Sequence, residues 1–189
     1  YSSNIGSNNN YSMSFDGVDD YISVPANGTL SNLSEMTASC WVKISVIPSS
    51  SSELISKWKN PEGTGNRAYT LRIEPNSVSL NVRTSNGGDF YVEFSIDSLI
   101  INEWQHLSFT YYGSNISLYL NGILMATANT SGGNIISSNE NFYIGTQSPP
   151  TSFFQGDNID DVQIWNIALS AQQIQDYMNC PPTGYESGL

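Results

Sequence analysis

Carboxylates crowd the stretch Phe15-Asp16-Gly17-Val18-Asp19-Asp20-Tyr21-Ile22-Ser23-Val24, just where an alternating run begins. Alternation puts Asp20 with Ile22 and Val24, on the side that should face a core. Asp160-Asp161-Val162-Gln163-Ile164 repeats the pattern, with Asp160 on the side of Val162 and Ile164. An inward carboxylate must be neutralised or compensated, and no Lys or Arg adjoins either acid in sequence. Ca²⁺ would compensate both, because it takes several oxygen ligands. Gly17 and Asp19 lie in the turn where further oxygens could join Asp20 and Asp160. In the alternative reading each aspartate accepts backbone N–H groups of its own turn.

A second chemistry is sugar recognition, in which aromatic faces stack on rings and Arg or Asn side chains bind hydroxyls. Trp41, Lys43, Arg72, Arg83, Tyr119 and Trp165 have outward parity on their runs. In two loops, Lys57-Trp58-Lys59-Asn60 joins cations to an aromatic, and Pro149-Pro150-Thr151-Ser152-Phe153-Phe154 carries two aromatics. With Asn86 and Asp89 they would line a rim pocket. Covered faces and anchored loops are the competing reading, with the C-terminal helix covering Trp165.

Catalysis has little to work with. His106 has no serine and acid arranged around it as a triad needs. Glu93 and Glu103 are the pair a glycosidase would require, but no strand carries glutamates at alternate positions in the way related glycan-cleaving enzymes do. Cys40 and Cys180 fit no zinc spacing; one disulfide between them and two free thiols both suit the chain.

These residues need elements to hold them. Ala38 to Ile44, Tyr69 to Ile73, Val78 to Val82, Phe90 to Ile96, Leu107 to Tyr111 and Ile116 to Leu120 alternate as strands; Tyr143-Ile144 and Val162 to Ile164 are shorter. Asn121-Gly122 between two apolar runs is a hairpin signal, since both residues tolerate positive φ. Many short strands at this spacing predict an all-β fold, a two-sheet antiparallel sandwich. One helix is predicted over Ala171 to Asn179, opened by a Ser170–Gln173 capping box and stopped at Cys180-Pro181-Pro182. The organisation is one domain over residues 1–180 and a linker over 181–189.

Composition narrows the partners. The 189 residues carry 17 acids against 6 bases, a net charge of -11. Phosphate contact needs clustered Lys and Arg, so no nucleic-acid partner is expected. No apolar run of about 18 residues is present, so no membrane insertion is expected.

Three segments together resemble the laminin-G-like, concanavalin-A-like lectin/glucanase jelly-roll family. They are Ser12 to Val24; Trp104-Gln105-His106-Leu107 leading through Ser117 to Gly122; and Phe142 to Gly145 with Gly156 to Asn166 and Ala168-Leu169-Ser170. The tail Cys180 to Leu189 is similar to joints between tandem modules in large secreted surface proteins of bacteria. The resemblance implies two curved sheets, an extracellular or cell-surface setting, often a structural calcium, and neighbouring modules in a longer chain. The function expected is non-catalytic binding of a glycan or polysaccharide. An adhesion or spacer module that contacts protein or nothing, and a diverged polysaccharide-cleaving enzyme, are the alternatives.

Overall fold

Short alternating runs broken by turn residues fold into twelve strands and one helix among the described residues. The structure is a computed structural model and describes residues 12–26, 28–59, 66–156, 158–180 and 182–189. Asn60, Pro181 and the first eleven residues therefore lie outside it.

Sheet A runs in the order β1 (Met13–Ser14), β12 (Asn158–Trp165), β3 (Glu35–Lys43), β8 (Trp104–Tyr112), β9 (Asn115–Leu120), β10 (Ile123–Asn129). Sheet B runs β2 (Ile22–Val24), β11 (Phe142–Ile144), β4 (Ser52–Trp58), β5 (Arg67–Ile73), β6 (Ser77–Arg83), β7 (Asp89–Ser95). Every pairing within the two sheets is antiparallel. This is the jelly-roll type of sandwich that the alternation predicts.

The inward faces carry the core. Met36, Ala38, Cys40 and Val42 of β3 meet Leu107, Phe109 and Tyr111 of β8 and face Tyr69, Leu71, Val78, Leu80 and Val82 from sheet B. Each fully buried Leu, Ile or Val contributes about 1.5–3 kcal/mol relative to exposure. The β9–β10 hairpin turns on Asn121 (φ 50°) and Gly122 (φ 73°), the positive-φ pair that a right-twisted hairpin needs. The helix α1 (Ala171–Asn179) has the predicted capping box, with Ser170 and Gln173 bonded reciprocally. It lies on the outer side of sheet A, where Tyr119, Trp165, Leu169 and Ile174 form a second apolar cluster.

Two expectations about strand phase are corrected. In β12 a bulge sits between Asp160 and Gln163, and Asp161 takes φ 45°. Ile159 packs into the core before the bulge, and Val162 and Ile164 pack against it afterwards. Asp160 is therefore opposite in phase to the residues it was grouped with, and it pairs with Trp41 on the outward face. The segment Lys57-Trp58-Lys59 was read as a loop, but Lys57 and Trp58 end the buried strand β4. Its alternation is hidden because Leu54 and Ile55 both enter the core across a bulge.

The disulfide alternative is also settled. Cys40 and Cys180 are both free thiols, one buried and one exposed. Cys40 points into the core from β3, while Cys180 ends α1 on the other side of the same sheet. Burial pushes the Cys40 thiol up to about 12, so it is neither nucleophile nor ligand at neutral pH.

Candidate functional site

The acidic turn is solvent-exposed. Asp20 precedes β2 and does not face the core; its Oδ2 accepts the Asp16 N–H at 3.0 Å, and Asp16 Oδ1 accepts the Val18 N–H at 2.8 Å. The turn-capping reading is thus present in full. Asp20 lies in the turn before β2 of sheet B and Asp160 within β12 of sheet A, and Asp160 is not among the carboxylates gathered around Asp20. The carboxylates that come together are Asp16, Asp19 and Asp20, with one oxygen from each within 4.8 Å of the others. Gly17 holds φ 78° between them, and a Cβ there would press on Gln155. Three hard-oxygen donors at that separation fit the ligand chemistry of Ca²⁺. Asp160 is spent differently, its Oδ1 accepting the Asp161 N–H.

The outward face of sheet A is mostly covered. Tyr119 is 8% exposed, and the Trp165 ring stacks 4.6 Å from Tyr177 of α1. Tyr119 has the expected outward parity, but its side chain ends under the helix. Trp41 is half-buried against His106, with ring centroids 5.4 Å apart. Burial drops His106 to about 4, so it is neutral near pH 7.

The outward face of sheet B gathers most of the remaining residues, in rows set by the strand register. The first row is Trp58, Arg67, Arg83 and Asp89. A bulge at Ala68 rotates Arg67 onto this face. Its guanidinium lies 5.0 Å over the Trp58 ring, and Trp58 is only 5% exposed. The cation already occupies the ring face a sugar would use, so Trp58 is a brace for Arg67 and not a stacking surface. Arg67 and Arg83 both bond Asp89, at 3.1 and 2.7 Å.

The middle row is Tyr143, Ser56, Thr70, Asn81 and Tyr91. Among the described residues, Ser56 Oγ, Thr70 Oγ1 and Asn81 Nδ2 have no hydrogen-bond partner. Unmade bonds at buried polar atoms cost about 1–3 kcal/mol each, so a row of them calls for an explanation. Tyr91 ends the row 65% exposed. The third row is Glu53, Arg72, Ser79 and Glu93. Arg72 bonds Glu74 at 2.6 Å and Ser79 at 3.2 Å. Glu53 is 0% exposed, neither of its oxygens has a partner, and burial raises it to about 7.

The face divides in two. Its β6–β7 half, with Asn81, Arg83, Asp89, Tyr91 and Glu93, meets solvent. Its β4–β5 half, with Glu53, Ser56 and Thr70, is covered. Asn86 sits in the β6–β7 turn and donates to the Ser131 carbonyl. Phe153 is half-buried against Tyr21, 6.3 Å between rings, and anchors its loop. Alternation already placed Thr70 and Asn81 outward without marking them. Glu53, Ser56 and Arg67 were missed because bulges in β4 and β5 break the pattern that would have shown them.

Glu53 and Glu93 are the carboxylates of this face, among the described strand residues, that no arginine pairs with, Asp89 being held by Arg67 and Arg83. They stand three strands apart, about 14 Å at ~4.8 Å per strand, beyond the ~5–9.5 Å of glycosidase pairs. Glu103 lies before β8 on the other sheet, away from Glu93.

The family model described as "Concanavalin A-like lectin/glucanases superfamily" matches residues 16–175. No curated protein matches the sequence. The receptor binding domain of botulinum neurotoxin C/D mosaic serotype is similar over 92% of this chain and 44% of its own, at 19% identity and TM-score 0.72. The serotype D ligand binding domain, solved in complex with N-acetylneuraminic acid, is similar over 95% of this chain and 45% of its own, at 17% identity and TM-score 0.72. The chain spans less than half the length of these structures, and the likeness is one of fold.

Proposed function

The chain belongs to the concanavalin A-like lectin/glucanase superfamily, and from that premise we propose that it is a non-catalytic, extracellular module that binds glycan on the outward face of sheet B. The observation that carries this reading is the row Ser56–Thr70–Asn81, hydroxyl, hydroxyl and amide at strand spacing with no partners among the described residues. Sugar hydroxyls both donate and accept, which suits such a row. The ligand enters on the open half, where Tyr91 offers a ring and Arg83–Asp89 a fixed polar pair. A fold neighbour solved with a bound sugar acid supports the ligand class. The separation of Glu53 and Glu93 supports binding over cleavage.

The test is a glycan array spanning algal, plant and host polysaccharides, followed by tryptophan-fluorescence titration of the hits. Tyr91→Ala should weaken a hit by about 1–3 kcal/mol, the range for truncating an aromatic contact. Silence across the array sinks the reading. One observation favours the adhesion or spacer alternative: Arg67 covers the one tryptophan on this face, leaving Tyr91 as its most exposed ring. The calcium expectation is carried forward as a proposal at Asp16, Asp19 and Asp20, as a structural ion clamping the β1–β2 turn.

A further inference from the structure

The covered half of sheet B lies under a loop whose contacts are specific. Residues Gly145 to Phe154 follow β11 as an Ω-loop that runs along the edge of β4. Its ends meet through the Phe154 N–H and the Gly145 carbonyl at 2.8 Å. Gly145 N–H donates to Leu54, and Ser148 N–H to Trp58, near the other end of the same strand. The far side is pinned at Ser51 and Ser52. Ser152 Oγ donates to the Ser51 carbonyl, Ser52 Oγ to the Phe153 carbonyl, and Gln155 N–H to Ser52 Oγ at 2.8 Å.

The pins run along the edge and leave polar groups unbonded on both sides. Glu53, Ser56 and Thr70 have unpartnered buried atoms on the sheet; Thr146 Oγ1 and Gln147 Oε1 do so on the loop. Glu53 is the titratable member. The groups that face it are the Ser152 hydroxyl from the loop, Arg72 from β5 and Glu74 from the turn beyond. Ser152 gives its proton to Ser51. Arg72 is held by Glu74 and Ser79. Both neighbours are thus shared, and what they offer an ionised Glu53 is outweighed by its burial.

We propose that Pro149 to Phe153 is a proton-held strap over the polar floor, hinged on Phe154, whose ring stays in the core against Phe15, lying down while Glu53 keeps its proton and lifting when Glu53 releases it to solvent. The ionised carboxylate needs water, and water reaches it from the loop side when the Ser51–Ser152 and Ser52–Phe153 contacts part. Lifting uncovers Ser56 and Thr70 and joins them to the open half. This rests on the glycan reading only for its purpose; the motion itself is independent of any ligand. The burial-raised proton affinity of Glu53 places the change near neutral pH.

The experiment is hydrogen exchange of the unliganded protein at pH 5.5 and 8.5, corrected for intrinsic rates, read at the amides of Thr151 to Phe153 and of Gln155, which donates to Ser52 Oγ. We expect their protection to fall at least tenfold at the higher pH, while core amides of β3 and β8 hold. Glu53→Gln keeps a neutral side chain of the same shape and should show equal protection at both values. Ser52→Ala removes a pin and should lower protection at both. Equal protection of the wild-type strap at the two values, or a persistent loss in Glu53→Gln, overturns the proposal. A strap that lifts beside a silent glycan array would overturn the glycan reading and leave the strap intact.

Discussion

Glu53 also sets a global stability prediction that can be worked through. In the unfolded chain it titrates near 4.5; in the fold burial raises it to about 7. Its folded value is raised, so its contribution is fully present below the unfolded value and is lost as pH climbs through the folded one. The window runs from roughly pH 4.5 to 7 and the curve flattens above it. At 1.36 kcal/mol per unit, the total is about 3 kcal/mol, a large part of a stability of about 5–15 kcal/mol. The quantity to read is the difference between wild type and Glu53→Gln, which isolates this one group. Urea unfolding at half-unit steps from pH 4 to 8.5 supplies it. The two proteins should be close in stability at pH 4, and the variant should gain about 3 kcal/mol on the wild type by pH 8. A difference that stays constant across the range would refute the reasoning, because Glu53 would then be solvated or paired in the fold.

Three further outcomes are expected. Tyr119→Ala should cost about 3–5 kcal/mol in thermal or urea unfolding, the range for large buried side chains cut to Ala, with no change in any glycan affinity, because the ring packs under α1. Ca²⁺ added to chelated protein should release or take up heat in calorimetry and raise the melting temperature, and Asp19→Asn should abolish both; an unchanged melt with no heat defeats the calcium proposal. A thiol reagent should titrate one cysteine in the native protein and two in denaturant, since Cys180 is exposed and Cys40 is buried.

Much of the architecture was legible because alternation reports which side of a strand meets the core. The eight runs read as strands all appear, and α1 spans the predicted residues. The parity of Arg72, Arg83, Thr70 and Asn81 was readable for the same reason. Alternation fails where a bulge adds a residue: at Leu54 and Ala68 in the candidate site on sheet B, and at Asp161 on sheet A. Parity also says nothing about what lands on a face afterwards. Tyr119 leaves its strand outward as expected, yet it ends beneath a helix, and Trp58, expected in a loop, ends beneath an arginine.

The bulge at Asp161 has a consequence for reading relatives of this chain. It acts like a frameshift within a single strand, since residues on either side obey opposite parity. Lining β12 up residue by residue with a strand that lacks the extra position would set core residues of one against surface residues of the other, although both strands run through the same place. Deleting Asp161 would impose that exchange physically, sending either Ile159 or the Val162–Ile164 pair out of the core. The single position at φ 45° thus lets one continuous strand keep two incompatible phases.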